Sequence, residues 1–146
     1  MAGLAAALLG SLPAAAADIL PLTAAQKNNL GIATGQTATG REVVAWAREL
    51  EDRGVGEILI TSIERDGTLQ GYDLALIEAV VRAVKIPVIA SGGAGNYQHM
   101  VEAVTQAGAS AVAAASMFHF TEQTPAGAKS ALAAAGVPVR QTFVPK

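Results

Sequence analysis

Hydrophobic positions after residue 40 alternate between helical spacing and short, continuous runs. Thr39 and Glu42 form a T-x-x-E capping box at the start of the first helical segment, and Gly54 ends it. The apolar positions that recur at helical spacing in between are Val43, Val44, Trp46, Ala47 and Leu50. The pattern predicts a helix with one buried stripe, in which Trp46 belongs to the core.

Three short apolar runs, at 57–63, 88–90 and 111–115, predict strands. The first run is rich in β-branched residues, which is typical of a parallel strand buried on both faces. The helical segments that follow the three runs have N-cap candidates in Asp73, Asn96 and Thr124. Strands alternating with helices predict an α/β fold with a parallel sheet, either doubly wound or part of a barrel.

The amino-terminal region has a different composition. Residues 1–17 are rich in Ala and Leu and end in an A-x-A pattern, as a signal peptide does, but lack its positively charged start. A signal peptide and a disordered Ala-rich leader both fit this segment. Residues 18–36 form a linker whose segment 22–35 resembles the opening of periplasmic adaptor subunits of efflux pumps. Residues 37–146 are predicted to form the folded region.

Composition narrows the classes of function. The chain has 146 residues, 51% of them hydrophobic, whereas a complete eight-stranded barrel needs about 250. A net charge of −2 and an aromatic content of 4% argue against nucleic-acid binding. The leader falls short of the ~20 apolar residues of a membrane span, so we expect no membrane partner. With no cysteine and two histidines, we predict neither a metal site nor a cofactor.

A loop of glycine and hydroxyl-bearing residues follows each predicted strand: 64–68, 91–95 and 116–117. The carboxyl ends of parallel strands meet at one sheet edge, where barrels and doubly wound folds bind ligands. Glycine lets backbone N–H groups approach a ligand closely, and converging neutral donors favour an anion, most often phosphate. The alternative is that each loop is an ordinary strand-to-helix turn.

Three motifs, at 56–73, 87–95 and 114–120, carry a family resemblance. In this order and spacing they resemble the C-terminal half of the cyclase subunit of imidazole glycerol phosphate synthase, from about Thr37 to Arg140. The sibling isomerase of histidine biosynthesis shares the R-D-G-T and S-G-G loops. The Gly71-Tyr72-Asp73 turn and the Ser-Met-Phe-His-Phe stretch favour the cyclase.

The resemblance implies a partial (β/α)8 (TIM) barrel, with about three βα units preceded by a helix. It also implies a cytoplasmic lyase that takes ammonia from a glutaminase subunit. Such an enzyme closes an imidazole ring on a phosphoribulosyl-formimino ribotide and yields imidazole glycerol phosphate and aminoimidazole carboxamide ribotide. The leader raises the alternative of export to the periplasm.

Candidate site residues follow from the loops and the resemblance together. The predicted phosphate-binding residues are Asp66, Gly67, Ser91, Gly92, Gly93, Ala115 and Ser116. Glu57, at the amino end of its strand, matches a charged residue that lines the ammonia entrance in the family. Asp66 is interpreted as a general acid or base, or as a residue that orients loop amides and binds substrate. His99 and His119 are interpreted as a helix-surface residue and a packed or surface residue.

The chain departs from the family where the catalytic pair is expected. The two family aspartates, on the first and fifth strands, have no counterpart here. No catalytic residue is therefore assigned, and Asp66 is given a supporting role only. We expect the chain to be incomplete alone and to need a missing N-terminal half-barrel or a homo-oligomer, because three parallel strands leave two unpaired edges. The alternatives are a non-catalytic phosphate-binding half-barrel and an exported adaptor fragment.

Overall fold

The computed structural model describes residues 2–5, 24–26, 29–32, 37–38 and 40–140. The helices are α1 (Val43–Asp52), α2 (Leu74–Val81), α3 (Tyr97–Thr105), α4 (Ser116–Phe120) and α5 (Pro125–Ala134). The strands are β1 (Ala2–Ala5), β2 (Ala24–Gln26), β3 (Asn29–Ile32), β4 (Thr37–Ala38), β5 (Ile58–Ser62), β6 (Val88–Ser91) and β7 (Ala111–Val112). All seven strands share one sheet of order β4-β3-β2-β1-β5-β6-β7.

The predicted α/β fold is confirmed in the parallel part of this sheet. β5, β6 and β7 are parallel neighbours, with Ile58 opposite Val88 and Ile89 opposite Ala111. Because each strand is added next to the previous one, right-handed crossovers place the connecting helices on the same face. This sequential order is that of a partial βα barrel rather than of a doubly wound sheet.

The prediction of two unpaired edges is wrong for β5. Its outer edge pairs with β1 in antiparallel register, Ala2 opposite Ser62 and Ala5 opposite Leu59. The antiparallel strands β2, β3 and β4 extend the sheet beyond β1. Backbone groups of an edge strand are best satisfied by another strand, and the amino-terminal segment provides one.

Side-chain caps begin four of the helices. Asp73, Asn96 and Thr124 cap α2, α3 and α5 as predicted, each accepting a hydrogen bond from a backbone N–H of the first turn. The predicted T-x-x-E capping box is wrong, because Glu42 is itself the N-cap of α1. Its carboxylate accepts from the Val44 and Ala45 N–H groups at 3.0 and 2.7 Å, while Thr39 lies outside the described residues.

Burial alternates along β5, contrary to the prediction of a strand buried on both faces. Ile58, Ile60 and Ser62 are buried, whereas Leu59 and Thr61 are half-buried. The helices cover the face that carries Ile58, Ile60 and Ser62. In a closed barrel the face that carries Leu59 and Thr61 would be the interior, covered by further strands that the described residues do not provide.

The third strand is shorter than predicted. The apolar run 111–115 forms only the two-residue β7, since Ala113 to Ala115 turn away to begin α4. This helix was not predicted, because five residues are too few to display a helical period.

Trp46 lies in the core, as predicted, and its exposed fraction is 4%. The Arg41 guanidinium covers its ring at 4.0 Å from the centroid, and that of Arg53 lies at 5.7 Å. Glu49 forms ion pairs with both arginines. The two arginines, held by their ion pairs with Glu49, therefore shield the Trp46 ring from water.

None of the helices in the described ranges has the length and apolar character to cross a membrane.

Candidate functional site

A cavity of about 170 Å³ opens at the carboxyl ends of β6 and β7. One wall is the loop after β6, the opposite wall is the turn between β7 and α4, and the loop after β5 reaches the rim. The lining residues are Asp66, Ser91, Gly92, Gly93, Ala94, Ala113, Ala114, Ala115 and Ser116. The three loops singled out in the sequence therefore meet at one place.

Six of the seven predicted phosphate-binding residues line this cavity, and Gly67 does not. Gly67 lies in an exposed turn with φ of +76°, and a Cβ added there would meet nothing within 4 Å. It provides the left-handed residue that turns the loop after β5, and its role in phosphate binding stays a prediction. Glu57 precedes β5 and so lies at the opposite end of the strand from the cavity.

The cavity walls offer backbone donors. Within the part of the chain that the structure describes, the N–H groups of Gly92, Gly93, Ala115 and Ser116 donate no hydrogen bond to the protein. Ser91 and Ser116 add hydroxyl groups to the lining. Small side chains and unsatisfied N–H donors around a concave surface are suited to an oxyanion.

Close packing of two loops explains the paired glycines. A Cβ on Gly93 would lie 2.3 Å from the Gly71 carbonyl oxygen, and one on Gly92 would lie 2.8 Å from that of Ser62. Both glycines also have positive φ, +84° at Gly92 and +104° at Gly93. The Gly71 N–H donates to the Gly93 carbonyl at 2.7 Å, which fastens the loop after β6 to the loop after β5.

Tyr72 fastens the loop after β5 to the other wall. Its buried hydroxyl donates to the Ala113 carbonyl at 2.9 Å. Desolvation by burial raises the pKa of Tyr72, because the phenolate would lie in a poorly solvated site. The side chain therefore stays a neutral donor and holds the turn that begins α4.

His99 is not the exposed residue that the sequence predicts. It is half-buried, and its Nδ1 accepts a hydrogen bond from the Gly95 N–H at 3.2 Å. His119, by contrast, is exposed beside Phe120, in agreement with its interpretation as a surface residue.

Gln123 is a residue that sequence reasoning missed. Its Nε2 donates to the Gly95 carbonyl at 2.7 Å across a sequence separation of 28 residues. It directly precedes the Thr124 N-cap, and no local pattern marks a contact of that range.

Asp66 lies at the rim of the cavity and is exposed. Its carboxylate accepts no hydrogen bond within the described part of the chain, so it does not orient the loop amides there. A carboxylate at this position provides an acceptor for hydroxyl or N–H donors of a ligand.

The described residues contain no group of three His, Asp or Glu side chains that could hold a metal ion. The chemistry offered by the cavity is thus anion binding through N–H and hydroxyl donors, with one carboxylate at the rim.

A comparison with protein families agrees with the fold. Residues 16–124 match the model of the family described as histidine biosynthesis protein. The match covers more than half of the chain and includes the loops after β5 and β6 and all of α4. The chain therefore belongs to the histidine biosynthesis protein family.

Proposed function

We propose that this chain supplies the phosphate-binding side of a cyclase of the imidazole glycerol phosphate synthase type. The observation that carries the proposal is the convergence of six predicted residues on one cavity of about 170 Å³. A cavity of this size accommodates one phosphate group rather than a whole ribotide. The rest of such a substrate would extend from the cavity across the carboxyl ends of the parallel strands.

Each wall has a distinct role in this proposal. In it, the N–H groups of Gly92 and Gly93 donate to the anion from one wall and those of Ala115 and Ser116 from the other, since these groups have no acceptor in the described part of the chain. The Ser91 and Ser116 hydroxyls donate as well. Donors held in place before the ligand arrives bind it without the entropic cost of ordering the loops. Asp66 accepts from a substrate hydroxyl or N–H group beside the phosphate.

The choice of the cyclase over the sibling isomerase rests on the resemblance of two motifs. In the Gly71-Tyr72-Asp73 turn, Tyr72 anchors the Ala113 carbonyl and Asp73 caps α2. In the Ser-Met-Phe-His-Phe stretch, Ser116 lines the cavity and Met117 is fully buried. In this proposal a glutaminase partner supplies ammonia past Glu57, and the catalytic aspartates come from a second half-barrel.

Substitution of Ala115 tests the proposal. Ala115 is the exposed N-cap of α4 and has no side-chain capping bond, so Asn and Asp are both favourable there. Only Ala115→Asp adds a negative charge beside the anion. In calorimetric titrations with inorganic phosphate we expect Ala115→Asp to bind at least about tenfold more weakly than Ala115→Asn, whose side chain has the same size.

Equal phosphate affinities of the Asp and Asn variants would refute the assignment of the cavity. The cyclase is tested separately by mixing the chain with an N-terminal half-barrel that carries the two aspartates. We expect ammonia-dependent cyclisation that Ala115→Asp reduces well below the level of Ala115→Asn. Phosphate binding without turnover would favour a non-catalytic phosphate-binding half-barrel, and isomerisation without cyclisation would favour the sibling enzyme.

A further inference from the structure

A chain of hydrogen bonds through Gln123 joins the two walls of the cavity. Gln123 lies between α4 and α5 and is half-buried. Its Nε2 donates to the Gly95 carbonyl at 2.7 Å. Gly95 ends the loop after β6, which forms one wall, whereas Gln123 follows α4, which begins at the other wall.

Gln123 is itself held on the α4 side. Its backbone N–H and its Nε2 lie 3.2 and 3.3 Å from the Thr121 Oγ1, which donates in turn to the Met117 carbonyl. Met117 is completely buried in the core. The amide of Gln123 therefore connects a rigid part of α4 to the loop after β6.

The Gly95 peptide groups are fixed from a second direction. The Gly95 N–H donates to Nδ1 of His99, at 3.2 Å, while the Gly95 carbonyl accepts from Gln123. A Cβ on Gly95 would lie 2.0 Å from the Leu69 carbonyl oxygen, so the loop has no space to move toward the loop after β5. With both polar groups of Gly95 engaged, the end of the loop is held in one orientation.

We propose that Gln123 is a positioning residue that fixes the distance between the two walls of the anion cavity. The inference rests on the proposed function of that cavity. Gln123 does not line the cavity, and it acts through Gly95 on the donors at Gly92 and Gly93. Loss of its bond to Gly95 leaves those donors present but no longer held opposite Ala115 and Ser116.

Two substitutions separate positioning from packing and charge. Gln123→Leu keeps a similar volume and removes the donor. Gln123→Glu keeps the shape, and its ionised carboxylate cannot donate to the Gly95 carbonyl, whereas the protonated carboxyl group can. The matched control is Gln98→Leu, because Gln98 is exposed on α3 and bonds only to Glu102 among the described residues.

The probe is sulfate, whose charge is constant across the measured interval of about pH 4 to 8, which spans the titration of glutamate near 4.3. Affinity is measured by titration calorimetry. We expect Gln123→Leu to bind about fivefold more weakly than wild type at each pH, since one hydrogen bond is lost. Gln123→Glu should bind weakly at the upper end and recover toward wild type at the lower end. Gln98→Leu should match wild type.

Sulfate affinity of Gln123→Leu within twofold of wild type would overturn the positioning role and leave the proposed function intact. Absence of recovery by Gln123→Glu relative to wild type at low pH would overturn it as well, even if Gln123→Leu does not fold. If Gln123→Glu alone is weakened and Gln123→Leu is not, the effect is one of charge and the positioning role is refuted. No sulfate binding by wild type would overturn both proposals together.

Discussion

Tyr72 joins two of the three loops around the cavity through a single hydroxyl group. The group is buried, bonded to the Ala113 carbonyl, and kept neutral by the raised pKa that its desolvation causes. Unfolding exposes this phenol to water, where it ionises near its ordinary value of about 10. The folded state holds the proton and the unfolded state releases it, so its contribution to stability is fully present below about pH 10 and falls as the pH rises above it.

We expect Tyr72→Phe to destabilise the protein by about 1–3 kcal/mol at neutral pH, because the Ala113 carbonyl loses its donor. Above about pH 10 the gap to wild type should narrow by up to ~1.4 kcal/mol per pH unit. Urea unfolding at several pH values measures both effects. Tyr97→Phe, which removes the other tyrosine, should keep the alkaline loss. A gap that stays constant or widens with pH would contradict this account.

Elements with a strong local signal were predictable from sequence, and contacts between distant elements were not. The side chains of Asp73, Asn96 and Thr124 cap helices through groups three residues away, and so the helix starts were correct. The two-residue β7 and the five-residue α4 are too short to carry a period. β1 lies in an Ala-rich run without alternation, and its pairing with β5 depends on residues far along the chain.

In the candidate site, too, local features were predictable from sequence and long-range contacts were not. Glycine or hydroxyl-bearing residues after each strand marked the cavity, because parallel strands bring their carboxyl ends together. Gly67 lies outside the cavity lining, and a glycine required for a turn and one required for a close approach look alike in sequence. His99 and Gln123 bond to Gly95 through geometry that no motif encodes.

Substitution of Gly95 tests the close packing of the loop after β6 against the loop after β5. Gly95→Ala places a Cβ 2.0 Å from the Leu69 carbonyl oxygen, a backbone atom that cannot rotate away. We expect a loss of stability at or above the upper end of the ~1–3 kcal/mol typical of overpacking. Gly56→Ala is the control, because that glycine lacks a positive φ and its Cβ meets nothing within 4 Å. Similar melting temperatures for both variants would refute the tight loop crossing.

For the whole molecule, the half-buried face of the parallel strands is the feature with the largest consequence. Leu59 and Ile89 are neighbours in register on that face, opposite the helices. Parallel sheets are normally covered on both faces, so this surface favours association with a second half-barrel or a second copy. The family match does not test this partner, which stays a prediction.

We expect wild type to sediment as a dimer or larger species in the micromolar range, and Ile89→Lys to shift it toward the monomer. A lysine on an apolar association surface must be desolvated, which opposes assembly. Ala75→Lys, on the exposed side of α2, should leave the sedimentation of wild type unchanged. A monomeric wild type, or equal behaviour of the two variants, would contradict the prediction.

Trp46 is the sole indole of the chain. It lies on α1 under the guanidinium groups of Arg41 and Arg53 and is not among the residues that line the cavity. We therefore expect its emission to report the packing of α1 against the sheet and to change little when an anion binds in the cavity. Denaturation followed through this fluorophore should give the stability of the fold. Addition of a ligand to the same sample should leave the emission unchanged.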